Sequence, residues 1–138
     1  MKKIIIFTFA SLLYCLTTPV MAAKSLAQCE KKGSVNKTSQ CFDIMIEIVD
    51  RELQTWLNSQ AFNLEELAIK TGRKSALSMF KRSQNDFIRY RENNCRWQYL
   101  AVSPDIRASN AYKKCYIILT KNRIKELSQV EQVKIDKY

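Results

Sequence analysis

The sequence contains no histidine, only two glycines and only two prolines among its 138 residues. Without an imidazole the chain cannot form a Ser-His-Asp triad, a Cys-His pair or a histidine-based zinc site. Gly33 and Gly72 alone cannot supply the glycine-rich loops that bind nucleotide phosphates. The absence of any Cys-x-x-Cys motif argues against a thioredoxin-type redox site and a zinc knuckle. We therefore expect a protein that is not an enzyme and that has no metal site and no cofactor.

The first 22 residues have the pattern of a secretory signal peptide. Lys2 and Lys3 give a positive start, residues 4–20 form an apolar run, and Ala22 is a small residue at the cleavage position. Because polar residues interrupt the run, it is marginal as a membrane anchor, and we predict cleavage after Ala22. The mature protein is then a single domain over residues 23–138, periplasmic or secreted in a bacterium, with no stable membrane span.

The charge of the chain is strongly positive. Lysine and arginine number 23 against 13 acidic residues, and removal of the two signal-peptide lysines lowers the net charge from +10 to +8. Arg82, Arg89 and Arg96 recur every seven residues and form a candidate basic binding face. Basic and aromatic residues interleaved in this region are also typical of single-stranded nucleic acid binding, but export argues against that partner. A basic exported surface favours an anionic envelope polymer such as lipopolysaccharide, or an acidic protein.

Four cysteines remain after signal cleavage, namely Cys29, Cys41, Cys95 and Cys115. An even number of cysteines in an oxidising compartment predicts two structural disulfides. All three connectivities are compatible with a helical bundle. We favour Cys41–Cys95 with Cys29–Cys115, because this pairing would join the first helix to the second and fix the N-terminal arm.

Apolar residues recur at spacings of three and four throughout the mature chain, and no alternating strand pattern occurs. These spacings predict an all-α fold, an antiparallel three-helix bundle with a short extra helix, held by two disulfides. We predict an N-terminal arm over residues 23–37, followed by a first helix that starts within 34–39 and ends before 58–60. A short helix from Asn63 to Gly72 and a long helix from 74 to about 100 come next. The last helix starts at Ser103-Pro104, and a polar tail covers residues 129–138.

Acidic residues follow one face of the first helix. Asp43 and Glu47 have the spacing of a carboxylate pair, as in a glycosidase, with Asp50 one turn further on. We favour an ion-pair seam between these acids and the basic row on the neighbouring helix.

Arg91 occupies the apolar stripe of the long helix, where an unpaired guanidinium would be costly. We expect a structural ion pair with Asp50, for which Arg123 of the last helix competes. The alternative is an arginine that grips an anionic ligand.

Cys29 with Cys41, Val49 and Asp50 with Leu53, and two later groups of residues together resemble the lysozyme inhibitor LprI-like family of small exported bacterial proteins. The first group is Gln84, Phe87, Tyr90, Arg91, Glu92 and Cys95, and the second is Cys115, Thr120, Arg123, Glu126 and Leu127. The resemblance extends from Cys29 to Leu127 and departs at Phe87, where the family usually has tryptophan.

This resemblance implies inhibition of c-type lysozyme by stoichiometric binding. The alternative is a basic periplasmic protein that binds anionic envelope components. Because c-type lysozymes are cationic, we expect inhibition to use a local acidic or shape-complementary patch. Glu65, Glu66 and Asp105 are the acidic protrusions that the sequence offers.

Overall fold

A computed structural model describes residues 25–130. The predicted signal peptide and residues 131–138 of the predicted polar tail lie outside the described residues. Four helices and no strands occur between residues 25 and 130, which confirms the all-α prediction. The helices are α1 (Leu26–Glu30), α2 (Val35–Thr71), α3 (Ser75–Val102) and α4 (Ala108–Ser128).

Helix α4 packs against both α2 and α3, whereas α2 and α3 contact each other much less. It runs parallel to α2 and antiparallel to α3, because the three long helices alternate in direction along the chain. Because two neighbours cover it, α4 buries residues on more than one side, polar ones included. Ile117 is therefore fully buried, while the adjacent Ile118 is 38% exposed.

The main core lies between α2 and α4. Phe42, Met45, Val49 and Leu53 of α2 are buried, as their helical spacing predicts. Ile117, Ile124 and Leu127 of α4 belong to the same cluster. Burial of side chains of this size contributes about 1.5–3 kcal/mol each to folding. The α2–α4 contact is thus the main apolar interface of the protein.

Helix α2 is continuous from Val35 to Thr71, so the predicted break at residues 58–60 is wrong. Gln60 is buried in the helix, and its side-chain amide donates to the backbone carbonyl of Leu127 at 3.0 Å. The predicted short extra helix is therefore the end of α2. The observed short helix, α1, lies instead in the predicted N-terminal arm.

Both ends of α2 follow local sequence signals. Ser34 is the N-cap, where its hydroxyl accepts a hydrogen bond from the backbone N–H of Lys37. Gly72 ends the helix with a φ of +72°, the left-handed conformation that glycine adopts without a steric penalty.

The connection from α3 to α4 differs from the prediction. Ser103 ends α3 rather than capping α4, the Ser103–Pro104 peptide is cis, and α4 begins only at Ala108. Asp105 stabilises the turn by accepting hydrogen bonds from the backbone N–H and the guanidinium of Arg107. This side-chain pairing holds the turn in place of the proline start that the sequence suggested.

The disulfides are Cys29–Cys41 and Cys95–Cys115, so the favoured connectivity is wrong. In each pair the Cα atoms lie 5.4 Å apart, an ordinary distance for a disulfide. Helix α1 packs on α2 and brings Cys29 to Cys41, while the antiparallel α3 and α4 place Cys95 opposite Cys115. The prediction assumed a close contact between α2 and α3, but α4 lies between them.

Helix α2 extends past the end of α4. Since Gln60 contacts the carbonyl of Leu127 near the C-terminal end of the parallel α4, residues 61–71 of α2 lie beyond that end. At 1.5 Å per residue this is about 17 Å of helix. We call residues 61–79, which include the turn into α3, the hairpin end.

Candidate functional site at the α3–α4 interface

Arg91 is buried between three helices and only 8% exposed. Its Nη1 atom donates to the Oγ1 atom of Thr120 at 2.8 Å and lies 3.7 Å from Oδ1 of Asp50. Its guanidinium carbon is 3.8 Å from the ring centre of Tyr116 and 5.4 Å from that of Phe87. The charge is thus accommodated by a hydroxyl, a carboxylate and two aromatic rings.

Tyr116 links Asp50 to this arrangement. Its hydroxyl donates to the Asp50 carboxylate, with distances of 3.0 and 3.1 Å to the two oxygens. Burial raises the pKa of Tyr116 to about 12, the Asp50 carboxylate adds to this effect, and the Arg91 guanidinium opposes it. The phenol is therefore protonated at neutral pH and remains a hydrogen-bond donor.

Arg123 forms a second buried site one turn further along α4 and is 7% exposed. Its Nη1 atom donates to Oε1 of Glu126 at 2.8 Å, and its other nitrogens contact Ser83 at 3.2 Å and Gln84 at 3.4 Å. Its guanidinium carbon lies 5.6 Å from the ring centre of Phe87. Phe87 thus lies between the two arginines.

The expectation that Arg123 competes for Asp50 is wrong. Asp50 lies level with Tyr116, about two turns before Arg123 on α4, so Arg123 contacts the earlier part of α3 instead. The spacing of three residues between Arg123 and Glu126 was a local signal for the observed pair.

We call the side chains around Phe87 the arginine cluster. It consists of Asp50, Gln84, Phe87, Arg91, Tyr116, Thr120, Arg123 and Glu126. Seven of these eight residues, all except Tyr116, belong to the segments that carried the family resemblance in the sequence. Part of the resemblance is therefore carried by side chains that join α3 to α4, whereas Tyr90 of the same motif is 56% exposed.

A scan against protein-family models matches residues 29–127 to the lysozyme inhibitor LprI family. The chain belongs to the LprI lysozyme inhibitor family. Comparison with curated proteins gave no match, and neither did comparison with solved structures. The matched segment contains both disulfides and the whole arginine cluster of this LprI family member.

The arginine cluster is built to hold helices together rather than to grip a ligand. Arg91 and Arg123 are each less than a tenth exposed, and both already have oxygen partners from the chain itself. An arginine that binds an external anion needs its donors free towards solvent. The Nε atom of Arg91 has no hydrogen-bond partner among residues 25–130, but it is buried, so the geometry favours the structural role of Arg91 over the ligand-binding alternative.

The acidic face of α2 contacts α4 rather than the basic row of α3. Asp43 pairs with Lys113 of α4 at 2.7 Å, and Asp50 lies near Arg91 and Tyr116. Glu47 makes no ion pair with any residue from 25 to 130. The expected seam with the basic row does not form among these residues, because α4 separates most of α2 from α3.

The basic row on α3 is exposed. Arg89 pairs with Asp86 on its own helix, while Arg82 and Arg96 have no ion-pair partner among residues 25–130. Arg96 borders a groove of about 680 Å³ that also contains Glu92 and Lys113. The row therefore presents two free cations about 21 Å apart along the helix, at 1.5 Å per residue.

The acidic protrusions named from the sequence are largely neutralised by neighbouring cations. The Arg107 side chain, and then its backbone N–H, lower the pKa of Asp105 to about 2, and its charge is balanced by the same guanidinium. Glu66 lies 4.0 Å from Lys70. Glu65 alone among the three has no ion pair within the described part of the chain. These residues do not form the acidic patch that a cationic partner would need.

Two further features bear on function. Within residues 25–130 no group of three or more acidic or cysteine side chains could hold a metal ion. Over the same residues no helix is long and apolar enough to cross a membrane.

Proposed function

We propose that this LprI family member is an exported, non-enzymatic protein that acts in the periplasm or after secretion and inhibits c-type lysozyme by binding it stoichiometrically. The observation that carries the proposal is the family match over residues 29–127. That match spans both disulfides and every residue of the arginine cluster, and it covers the helical scaffold except the first three residues of α1 and the last residue of α4.

The rigidity of the scaffold supports a role in binding. One disulfide links α1 to α2 and the other links α3 to α4, and hydrogen bonds of the buried Arg91 and Arg123 also fix α3 on α4. A surface that is already ordered loses less conformational entropy when it binds, which favours affinity. Stoichiometric inhibition requires a stable surface of this kind.

A turbidity assay tests the proposal. Purified oxidised protein is added in increasing amounts to a fixed amount of c-type lysozyme acting on a bacterial cell suspension. We expect lysis to fall with dose and to stop near one inhibitor per enzyme. Full lytic activity at a large excess of the protein contradicts the proposal.

Binding to an anionic envelope polymer is the competing function, and it predicts a different response to salt. Polyanion complexes depend on many charge contacts and weaken steeply as salt screens them. An inhibitor that uses few charge contacts changes far less. The turbidity assay at two ionic strengths, with lipopolysaccharide binding measured in parallel, separates the two functions.

A further inference from the structure

We propose that the turn between α2 and α3 is the element that enters the catalytic cleft of lysozyme, with Arg73 and Lys74 facing the carboxylates of the enzyme. This inference rests on the proposed function and adds the surface and the chemistry of the contact.

Among residues 25–130, the hairpin end is the part that extends past the end of α4. Its turn is narrow, because only residues 72–74 separate α2 from α3. A Cβ atom added at Gly72 would meet nothing within 4 Å, which shows that the turn faces open space. The turn can therefore approach a concave surface before the rest of the bundle makes contact.

The turn is also fixed in conformation. The N–H of Gly72 donates to the carbonyl of Ala68 at 2.9 Å, and the N–H of Arg73 donates to the Thr71 hydroxyl at 3.3 Å. The Thr71 hydroxyl in turn donates to the carbonyl of Leu67 at 2.7 Å. An ordered turn keeps the two cationic side chains at one end of the protein.

The surface of the turn combines positive charge with apolar side chains. Arg73 and Lys74 are exposed and have no ion pair with any residue from 25 to 130. Lys81, about two turns into α3, is also exposed and without an ion pair among these residues. Ile69 is 79% exposed and shares a groove of about 260 Å³ with Lys74, Lys81 and Glu65, and Met79 of the hairpin end is also exposed. Apolar residues exposed next to free cations are typical of a contact surface.

The catalytic cleft of a glycosidase has the complementary charge. Such enzymes place two carboxyl groups across the scissile bond, one of them a protonated general acid. The cleft of lysozyme is thus locally acidic although the protein as a whole is cationic. A cation beside the general acid favours its ionised form, which lowers its pKa and removes the proton that the leaving group needs.

This arrangement takes the place of an acidic patch on the inhibitor, the first of the two kinds of patch expected from the sequence. The net repulsion between two cationic proteins is offset where the two free cations of the turn meet the carboxylates of the cleft. The opposite end of the bundle is less suited to bind an acidic cleft. It has an apolar groove of about 630 Å³, but the charged side chains beside the groove are paired, Lys114 with Glu30 and Arg107 with Asp105.

A pair of charge-reversal variants tests the inference. Arg73→Glu/Lys74→Glu reverses the charge of the turn, and Lys31→Glu/Lys32→Glu makes the same change in net charge near the N-terminal end of α2, the far end of a 37-residue helix. All four side chains are exposed and make no hydrogen bond to residues 25–130, so both variants should fold. Circular dichroism and the melting temperature of each variant check this.

We expect the turn variant to need about tenfold or more protein for half-inhibition of lysozyme, while the control variant inhibits like the unaltered protein. A soluble oligosaccharide that fills the cleft should displace the unaltered protein. Equal inhibition by the two variants, or inhibition unaffected by the oligosaccharide, overturns the inference and leaves the proposed function standing. Absence of inhibition by the unaltered protein overturns the proposed function and, with it, the inference.

Discussion

The guanidinium carbon of Arg91 lies 3.8 Å from the centre of the Tyr116 ring, and the hydroxyl of that ring donates to Asp50. Arg91 belongs to α3, Tyr116 to α4 and Asp50 to α2, so this contact joins all three long helices. It is a polar contact in a region where α2 and α3 otherwise meet little. The stability of the bundle should therefore depend on each of these side chains.

Asp50→Ala should lower the free energy of unfolding by about 1–3 kcal/mol, because it leaves the buried guanidinium of Arg91 and the hydroxyl of Tyr116 without their carboxylate. The Asp50 side chain is 43% exposed, and solvent screening makes the loss smaller than for a fully buried pair. Chemical denaturation measures the change. Glu52→Ala is the control, an exposed acid on the same helix that should change stability by less than about 0.5 kcal/mol. Equal losses in the two variants would show that Asp50 is not a structural partner.

Thr120→Val should also destabilise the protein, by about 1–3 kcal/mol, because it keeps the side-chain shape but removes the acceptor for Nη1 of Arg91. Thr55→Val is a matched control. Both hydroxyls donate to the carbonyl four residues earlier, but only Thr120 accepts a hydrogen bond from an arginine. Denaturation curves of the two variants should therefore differ. Coinciding midpoints would mean that the contact with Arg91 contributes nothing.

Removal of the disulfides one at a time should affect different parts of the fold. Each closes a short loop, with sequence separations of 12 and 20 residues, and each should contribute about 3 kcal/mol in the chain-entropy model. Because Arg91 and Cys95 are the buried residues of α3, Cys95→Ala/Cys115→Ala should speed amide hydrogen exchange throughout α3. Cys29→Ala/Cys41→Ala should speed exchange mainly in α1. Loss of protection in α3 from the second variant would contradict the account.

The stability of the protein should fall at alkaline pH partly through Tyr116. Its pKa is raised to about 12 in the folded chain, whereas an unfolded tyrosine ionises near pH 10. Below pH 10 both states are protonated. As the pH rises from 10 to 12 the unfolded state releases its proton first, so the free energy of unfolding decreases. Denaturation across this range should show a steeper decline for the unaltered protein than for Tyr116→Phe, and parallel declines would show that the tyrosine is not perturbed.

The helices could be predicted from the sequence because their signals are local. Spacings of three and four placed Phe42, Met45, Val49 and Leu53 on one buried face, and Gly72 marked the end of α2. The family resemblance was likewise readable from side-chain types in fixed order. The family scan then matched the same residues, Cys29 to Leu127.

The remaining features depend on contacts between distant segments. The continuity of α2 through Gln60 requires a carbonyl of α4 as the acceptor, which the local pattern of polar residues could not indicate. Cys41 pairs with Cys29 because α1 packs on α2, and α4, which lies between α2 and α3, keeps Cys41 away from Cys95. Asp50 was named as the partner of Arg91 because a charge in an apolar stripe needs a carboxylate, but Tyr116 carried no comparable signal.

The central claim, that the protein binds lysozyme as a stoichiometric partner, is tested most directly by isothermal titration of c-type lysozyme with the oxidised protein at physiological salt. We expect a saturable binding isotherm with one protein bound per enzyme. The absence of any binding at concentrations well above those that the turbidity assay requires would contradict it.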